Sequence, residues 1–320
     1  MKICICGDSG LLGQALVGVF GASVNHQILG VSASSFTRPS FQVPLKAKYF
    51  HKEFDFLSQW EEAGNYIQSW RPDLIVNSVA LTDISECEEK PDHAKKLNSI
   101  LPEQLAELSR RQGSTFVHIS TDHIFNGKKE RPYLESDLPD PTNLYGASKL
   151  EGEERVRSSN ENALIVRTNI VGFRHKPNRP SFAEWLCESL SLSRPISLFT
   201  DYVTSPIHVF FLAEKIRTAV CRKKLQGIYN MAGHNSVSKY RFGEEVAEAC
   251  GFLMAKVSKG TLGTSSLHPP RPAYLALDVS RAESSVGTQF PSTEETAAQV
   301  ARDFKIASAL LTKKDLERNE

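Results

Sequence analysis

The chain has 320 residues, of which 38 are Lys or Arg and 37 are Asp or Glu, and its formal net charge is +1. Hydrophobic residues make up 40% and charged residues 23%, a composition typical of a globular protein with enough apolar material for a buried core. This balance argues against a basic nucleic-acid-binding protein and an acidic disordered one. The ordinary Gly and Pro content excludes collagen-like and low-complexity classes.

Short apolar runs alternate with longer amphipathic stretches through the first half of the chain. The pattern predicts strands at residues 2–6, 26–32, 74–79, 115–120 and 163–169. It predicts helices at residues 11–20, 58–70, 94–112 and 145–158, and Pro102 is expected to kink or split the third of them. Such alternation indicates an α/β fold, a Rossmann-type doubly wound parallel sheet with helices on both faces.

The alternation ends near residue 171, and a smaller, discontinuous α/β substrate domain is predicted beyond it. We predict an NAD(P)-binding domain at residues 1–170, to which residues 201–222 return. The substrate-binding domain is predicted at residues 171–200 and 223–290, which contain a loop rich in Pro and Arg and several Pro-rich turns. A C-terminal helix at 291–312 and a frayed, charged tail at 313–320 complete the division.

No targeting segment, membrane span or metal site is predicted. The first apolar run stops at Gly7, which is too short for the ~7–15 apolar residues of a secretory signal or the ~20 of a membrane span. A cytoplasmic location is the resulting expectation. The six cysteines include no C-x-x-C pair, so reduced structural thiols are expected. A Mg²⁺ ion carried by a substrate would leave no motif.

A glycine-rich turn follows the first strand and opens the first helix. Its spacing is G-x-x-G-x-x-G, with glycines at Gly7, Gly10 and Gly13. Glycine permits a tight turn and the close approach of a diphosphate, and the free N–H groups at a helix start favour an anion. The turn, with Leu11 and Leu12, therefore predicts a dinucleotide site.

The end of the second strand bears on the choice of dinucleotide. An acid ~20 residues beyond the glycines would bind the ribose hydroxyls of NAD. Instead the sequence has Ser32 in a run of small residues, followed by Arg38. Hydroxyl groups and an arginine suit a 2′-phosphate, so NADP is predicted and NAD is left open; a solvated loop is the alternative. Asp55 and Phe56 are placed at the adenine, although Asp55 could equally cap a turn.

Two further segments are candidates for ligand contacts. Ala80, Leu81 and Thr82 follow the predicted strand at 74–79, and the carboxyl ends of parallel strands face the ligand in folds of this kind. The basic run at residues 174–179 fits a diphosphate clamp and a solvated loop equally well. Only the first segment is therefore assigned to the cofactor.

The pattern Y-x-x-x-K at the start of a predicted helix suggests acid–base chemistry. The i,i+4 spacing puts Tyr145 and Lys149 on one helix face. A free phenol has a pKa of about 10, and a neighbouring ammonium and an oxidised nicotinamide would lower it. Thr121, at the end of a predicted strand, is expected to hold the reacting oxygen for Tyr145. A surface helix pair is the ordinary alternative.

Several segments together resemble the extended short-chain dehydrogenase/reductases: residues 7–13, 77–82, 120–122 and 143–153. More narrowly, the chain is similar to the dTDP-4-dehydrorhamnose reductase family, which also includes the non-catalytic β regulatory subunit of methionine adenosyltransferase. Further matches are P-Y-x-E-x-D at 132–137, R-T at 167–168, G-x-Y-x at 227–230 and R-P at 271–272. The resemblance therefore covers most of the chain.

The resemblance implies a reductase of a 4-keto-deoxysugar nucleotide that uses NAD(P)H, as in dTDP-rhamnose biosynthesis. It implies that Thr121 bonds the substrate oxygen, that Tyr145 donates the proton, and that Lys149 binds the nicotinamide ribose and tunes the phenol. The implied substrate pocket contains Thr121, Asp122, His123, Ile170 and Arg271. The implied partner is a nucleotide-sugar substrate, and neither a nucleic acid nor a membrane is expected as a partner. Whether the protein forms a homodimer is left open.

Two departures from the family pattern fall where the sugar would lie. His123 replaces a tyrosine, and Ile170 replaces a tryptophan of the bacterial reductases. The reaction type is unaffected, but the identity of the sugar stays open. Because the regulatory branch shares Ile170, a cofactor-binding regulatory subunit with a methionine adenosyltransferase catalytic subunit as partner is the alternative function. An epimerase or dehydratase is disfavoured, since Asp122 is not followed by a second acid.

Overall fold

The computed structural model describes residues 1–34, 44–176 and 179–317, with side chains as far as residue 309. The strands are β1 (Lys2–Cys6), β2 (Gln27–Ser32), β3 (Lys48–Glu53), β4 (Leu74–Asn77), β5 (Thr115–Ile119), β6 (Leu164–Arg167), β7 (Ile170–Val171), β8 (Ile196–Phe199), β9 (Val203–Thr204), β10 (Ile207–His208), β11 (Gly227–Asn230), β12 (Val237–Ser238) and β13 (Val257–Gly260). The helices are α1 (Leu11–Gly21), α2 (Trp60–Trp70), α3 (Ile84–Glu89), α4 (Pro91–Lys95), α5 (Leu101–Gln112), α6 (Leu144–Ser159), α7 (Phe182–Ser191), α8 (Val209–Thr218), α9 (Lys239–Cys250), α10 (Ser280–Val286) and α11 (Thr293–Glu317).

A parallel sheet forms the centre of the molecule, with the strand order β11-β6-β5-β4-β1-β2-β3. The chain runs outward from β1 to one edge and then returns to β4 on the other side of β1. This reversal creates a crevice outside the carboxyl ends of β1 and β4, where ligands bind in doubly wound sheets. The predicted fold class is confirmed.

Helices cover both faces of the sheet, so its central strands are apolar on both sides. Ile3 and Ile5 of β1 belong to the core shared with α1 and α8. Cys4 and Cys6 of the same strand belong to the core shared with α2 and α5. Because side chains alternate along a strand, one short apolar run fills both layers. None of the helices in the described part of the chain has the length and apolar character needed to cross a membrane.

Two local features differ from the sequence-based expectation. Strand β3 was not predicted, because it lies at the sheet edge and its partly exposed K-Y-F-H-K-E sequence lacks an apolar run. The helix predicted at 94–112 consists of α4, a π-helical turn at Lys96–Ile100, and α5. The irregular turn ends just before Pro102, which has no N–H to bond the carbonyl of Asn98.

Part of the chain beyond residue 170, which we call the second region, packs on an apolar cluster of its own. Leu186 of α7, Phe242 of α9 and Val300 of α11 are buried together, and β8 pairs with β13 in parallel. The prediction that residues 223–290 belong to the substrate domain is wrong for β11, which pairs with β6 in the central sheet. A strand of four residues carries no signal of which sheet it joins. Helix α11 also continues to Glu317, into the segment predicted to fray.

Candidate active site

A cavity of about 760 Å³ opens at the carboxyl ends of the central strands, beside the second region of the chain. The predicted site residues that line it are Gly10, Leu11, Leu12, Ala80, Leu81, Thr82, Thr121, Asp122, His123, Tyr145, Lys149 and Ile170. The predicted residues outside its lining are Gly7, Gly13, Ser32, Asp55, Phe56 and Arg271. Arg38 lies outside the described residues. The structure therefore brings the glycine turn and the Y-x-x-x-K pair into one cavity.

The glycine turn is built so that backbone, rather than side chains, faces the cavity. Gly7 has φ +87°, a conformation that side chains disfavour, and a Cβ on Gly13 would lie 2.0 Å from the carbonyl oxygen of Gly7. Helix α1 begins at Leu11 with no acidic residue in its first turn. Its free N–H groups and positive dipole end therefore suit the diphosphate of a dinucleotide.

A buried polar cluster supports this turn from below, and sequence reasoning missed it. The carboxylate of Asp8 is fully buried and accepts hydrogen bonds from the hydroxyl of Tyr49 (2.5 Å) and from His51 Nδ1 (2.8 Å). Burial and the Asp8 charge raise the pKa of Tyr49. Because both partners come from the unpredicted strand β3, no sequence pattern grouped them with the turn.

A basic side chain reaches the end of β2 from the second region. Ser32 is buried, and its hydroxyl donates to the carbonyl of Ser34 (3.0 Å). The hydroxyl of Ser34 lies 3.0 Å from that of Ser9 and accepts a hydrogen bond from Lys176 Nζ (3.1 Å). Lys176 comes from the basic run at residues 174–179, which sequence reasoning left unassigned. The contact joins this run to the turn that precedes α1.

The structure gives Asp55 and Phe56 ordinary structural contacts. Asp55 caps a turn, accepting hydrogen bonds from the N–H of Leu57 (3.0 Å) and the hydroxyl of Ser58 (2.9 Å). Phe56 is buried in the core between the sheet and α2. Neither side chain lines the cavity, so their contact with an adenine stays a prediction.

Asn98 fixes the cavity wall that follows β4, and no motif had indicated it. This fully buried amide accepts from the N–H of Leu81 (2.9 Å) and donates to the Leu81 carbonyl (3.0 Å). It also donates to the hydroxyl of Ser148 on α6 (3.0 Å). One side chain in the π-helical turn therefore holds the loop beside the cofactor side of the cavity against the helix that carries the Y-x-x-x-K pair.

Thr121 and Tyr145 meet at the floor of the cavity. Thr121 lies two residues beyond the end of β5, and its hydroxyl accepts from the N–H of His123 (3.2 Å). Asn143 caps α6 by accepting from the N–H of Gly146 (2.9 Å), which sets the position of Tyr145 in the first turn. Burial raises the pKa of Tyr145, and its hydrogen bond with Thr121 offsets only part of that effect. The phenol is therefore held in its protonated form.

Lys149 is an almost fully buried cationic side chain, at 1% exposure. Its Nζ donates to the carbonyl of Ile119 (2.7 Å) and lies 3.4 Å from His118 Nε2. Burial lowers the pKa of Lys149 to about 8, against the opposing charge of Glu153. The Y-x-x-x-K spacing predicted that this ammonium lowers the pKa of Tyr145. In the structure burial dominates the pKa of that phenol, and Lys149 donates to a backbone carbonyl.

An ion pair fixes the helix that carries both residues. Arg167 at the end of β6 binds Glu153 through Nη2 (2.7 Å) and Nε (3.0 Å), and both side chains are buried. Glu153 also accepts from the hydroxyl of Ser120 (2.5 Å). Because Glu153 lies one turn beyond Lys149, this network sets the position of α6 against β5 and β6.

The wall opposite the glycine turn is made of side chains from distant segments. Asp122 is 1% exposed, and burial raises its pKa to about 6, although Asn169 donates to it (2.6 Å). His123 Nε2 lies 3.2 Å from the hydroxyl of Tyr202. Burial lowers the pKa of Lys239 to about 8, and its Nζ lies over the Tyr202 ring. Asn169, Tyr202 and Lys239 carried no sequence signal.

His123 and Ile170 lie where the sequence placed the substrate. The His123 ring packs edge-on against Tyr145 at 5.6 Å between centroids. Burial, and then the charges of Arg271 and Lys239, lower the pKa of His123 to about 3, so its imidazole is neutral. Arg271 is thus close enough to act on the pocket, although it bonds the carbonyl of Pro269. Among the described residues, no cluster of three or more potential metal ligands was found.

Comparisons with known proteins agree with this geometry. A family model described as the RmlD substrate binding domain matches residues 1–306. A reductase of Haloferax volcanii named for low-salt glycan biosynthesis is 29% identical over 306 residues, covering 95% of this chain and 98% of its own. A dTDP-4-dehydrorhamnose reductase of Sinorhizobium fredii is 26% identical over 309 residues, covering 94% and 96%. The methionine adenosyltransferase 2 subunit beta of Xenopus laevis is 28% identical over 293 residues, covering 88% and 81%.

Solved structures share the fold. The structure of dTDP-4-dehydrorhamnose reductase from Bacillus anthracis in complex with NADP has a TM-score of 0.77 and 24% identity, covering 93% of this chain and 98% of that one. This likeness supports the sheet topology and the two-region architecture.

Proposed function

The chain belongs to the family described as the RmlD substrate binding domain, and on that premise we propose that it is an NAD(P)H-dependent reductase of a 4-keto-deoxysugar nucleotide. The observation that carries the proposal is that Thr121, Tyr145 and Lys149 line the same cavity as the glycine turn. The relatives named as reductases match nearly the full length of the chain. The Sinorhizobium relative is named dTDP-4-dehydrorhamnose reductase. The product of that reaction, dTDP-rhamnose, is one candidate product for this chain.

The residues of the turn fit a dinucleotide. A Cβ at Gly13 would fill the place where the backbone of Gly7 packs, and the first turn of α1 contains no acidic residue. The one carboxylate of the turn, Asp8, is buried and bonded by Tyr49 and His51.

Lys176, Ser34 and Ser9 lie together at the end of β2. The 2′-phosphate that distinguishes NADP from NAD is expected at this end of the strand. A lysine with two hydroxyl groups suits that 2′-phosphate, so we assign NADPH as the cofactor.

The chemistry of the site divides between residues on two strands and one helix. When bound, NADPH supplies the hydride that reduces the keto carbon. The hydroxyl of Thr121 holds the carbonyl oxygen, and Tyr145 donates its phenolic proton to that oxygen as the new C–H bond forms. Lys149 holds the ribose and offsets the negative charge left on the phenol. The raised pKa of Tyr145 suits a proton donor.

The test is NADPH oxidation across a panel of 4-keto nucleotide sugars, with Tyr145→Phe as the paired variant. The wild-type protein is expected to oxidise NADPH with at least one member of the panel. Tyr145→Phe keeps the ring and loses the proton, so its kcat is expected to fall about 10²–10⁴-fold. NADPH affinity is expected to change by no more than a few-fold. Wild-type turnover by the phenylalanine variant would contradict the assigned role.

A regulatory subunit of methionine adenosyltransferase type is the second candidate. It is favoured by the match to the Xenopus subunit and by Ile170 at the cavity wall. Co-purification with a methionine adenosyltransferase catalytic subunit, together with no NADPH oxidation on the whole panel, would support it over the reductase.

We also propose a cytoplasmic location for this activity. All six cysteines are free thiols, and Cys4, Cys6, Cys87 and Cys187 are buried. Free thiols in this number suit a reducing compartment, which also supplies reduced cofactor. Fractionation of cells with detection of the intact chain tests the location.

A further inference from the structure

A buried imidazole lies directly behind Lys149, on the side away from the cavity. His118 belongs to β5 and has no exposed surface. Its Nε2 lies 3.4 Å from Lys149 Nζ, and its Nδ1 lies 3.3 Å from Asn77 Nδ2 on the neighbouring strand β4. Burial and the Lys149 charge hold the pKa of His118 well below its usual range, so the ring is neutral. It therefore carries one proton, on one of its two nitrogens.

Asn77 determines which nitrogen carries that proton. The side-chain carbonyl of Asn77 accepts the N–H of Val79 (3.1 Å), so turning the amide over would set two donors against each other. The amide NH₂ must therefore face His118, and an NH₂ group can only donate. His118 Nδ1 is the acceptor, and the ring proton lies on Nε2, directed at Lys149.

An Nε2–H group facing Lys149 distinguishes the two charge states of that side chain. A neutral amine has a lone pair that accepts this hydrogen bond, whereas an ammonium presents only donors. The carbonyl of Ile119 accepts from either form and does not discriminate between them. We propose that His118, held in its Nε2–H tautomer by Asn77, is a positioning residue that stabilises the neutral amine of Lys149.

The consequence rests on the proposed function: in a reductase that uses the Lys149 charge to offset the charge left on Tyr145, the pH at which the amine loses its charge sets the alkaline limit of turnover. The charge that acts on Lys149 is that of Glu153, one helical turn away, and Glu153 is itself paired with Arg167 of β6. Tyr145 of the same helix lines the same cavity. Glu153 favours the ammonium, and His118 opposes it. The two residues together set the pH above which Lys149 is uncharged.

The tautomer can be measured in the wild-type protein without any turnover. We expect the ¹⁵N chemical shifts of His118 to show a protonated Nε2 and an unprotonated Nδ1. A proton on Nδ1 would overturn the inference. This outcome is independent of the proposed function, which fails instead if no nucleotide sugar is reduced while the tautomer is as expected.

His118→Gln supplies the second test, since a glutamine can turn its carbonyl oxygen toward an ammonium. The titration of Lys149, followed by the ¹³Cε signal, is expected to move up by about one pH unit. The alkaline limit of kcat is expected to move with it. His208→Gln is the matched control, because His208 is equally buried but bonds Asp303, and it is expected to leave both profiles in place. An unmoved Lys149 titration in a folded His118→Gln protein would refute the proposal.

Discussion

The two walls of the cavity are built in opposite ways. The cofactor wall centres on one continuous turn, in which backbone N–H groups and the absence of side chains form the surface. On the substrate wall Asp122 and Asn169 line the cavity, Tyr202 contacts the lining residue His123, and Lys239 lies over Tyr202, so four separate segments of the chain contribute. A wall of backbone recognises what all dinucleotides share. A wall of side chains can change one residue at a time, and there the chain departs from its family at His123.

Electrostatics separates the two walls further. The start of α1 offers an N-terminal dipole with no acid nearby in its first turn. The opposite wall holds a carboxyl group whose pKa burial raises to about 6 and a lysine whose pKa burial lowers to about 8. Buried charges are costly unless they are paired or used. On the cofactor wall the buried carboxylate of Asp8 is paired with Tyr49 and His51, whereas burial shifts the pKa values of both Asp122 and Lys239 on the substrate side.

The largest expected effect comes from adding one methyl group to the cofactor wall. In Gly13→Ala the new Cβ would lie 2.0 Å from the carbonyl oxygen of Gly7, so the turn must open. Overpacking of this kind costs the fold about 1–3 kcal/mol. Because the strain is relieved by opening the turn that would hold the diphosphate, we expect NADPH affinity to fall by up to about 100-fold. Calorimetric titration with NADPH measures the loss.

Gly18→Ala is the matched control in the same helix. Nothing lies within 4 Å of a Cβ at Gly18, so the added methyl group meets no neighbour. We expect NADPH affinity to be unchanged and stability to rise by about 0.5–1 kcal/mol, since alanine favours a helix over glycine. Equal NADPH affinities in the two alanine variants would show that the cofactor wall is not built by close backbone packing.

The next largest effect tests the charged side chain that we assign to cofactor choice. Lys176→Gln removes the positive charge beside Ser34. A charge-assisted hydrogen bond contributes about 1.5–2 kcal/mol, so NADPH is expected to bind about 10–30-fold more weakly. NADH lacks the 2′-phosphate, and its affinity is expected to stay the same.

The control for this comparison is Lys95→Gln, at an exposed position on α4. It removes the same charge from the whole protein and is expected to alter neither cofactor's affinity. If Lys176→Gln weakened NADPH and NADH equally, the lysine would serve the shared diphosphate. The assignment of NADP selectivity to this contact would then be wrong.

The same contrast explains how far the sequence could be interpreted. The glycine turn lies in seven consecutive residues after a strand, so local spacing was sufficient to predict it. Tyr145 and Lys149 share a helix face for the same reason. Lys176 reaches the cavity, and Tyr202 and Lys239 reach its lining residues, only through the packing of the second region on the sheet, which no local pattern encodes. Strand β11 was misassigned because pairing with β6 is a tertiary property.

The smallest expected effect is on the free energy of unfolding and comes from neutralising Asp122 in the substrate wall. Burial raises the pKa of Asp122 from 3.8 to about 6, so the folded protein binds this proton more tightly than the unfolded chain. Stability contributed by this group therefore falls as the pH rises from about 4 to about 6, and it stays low above that range. Asp122→Asn removes the ionisation. It is expected to raise the free energy of unfolding at pH 7.5 by about 1–2 kcal/mol.

Thermal unfolding at two pH values isolates this contribution. At pH 7.5 the Tm of Asp122→Asn is expected to exceed that of the wild type by ~2–4 °C. Near pH 4 the difference should disappear, because Asp122 is then protonated in the wild-type fold. The asparagine side chain of the variant has nearly the same size and can still accept the hydrogen bond from Asn169. A change in packing would therefore not explain a gain in Tm that depends on pH. A Tm difference that is the same at both pH values would mean that the buried carboxylate carries no cost, and the electrostatic contrast between the two walls would then have to be abandoned.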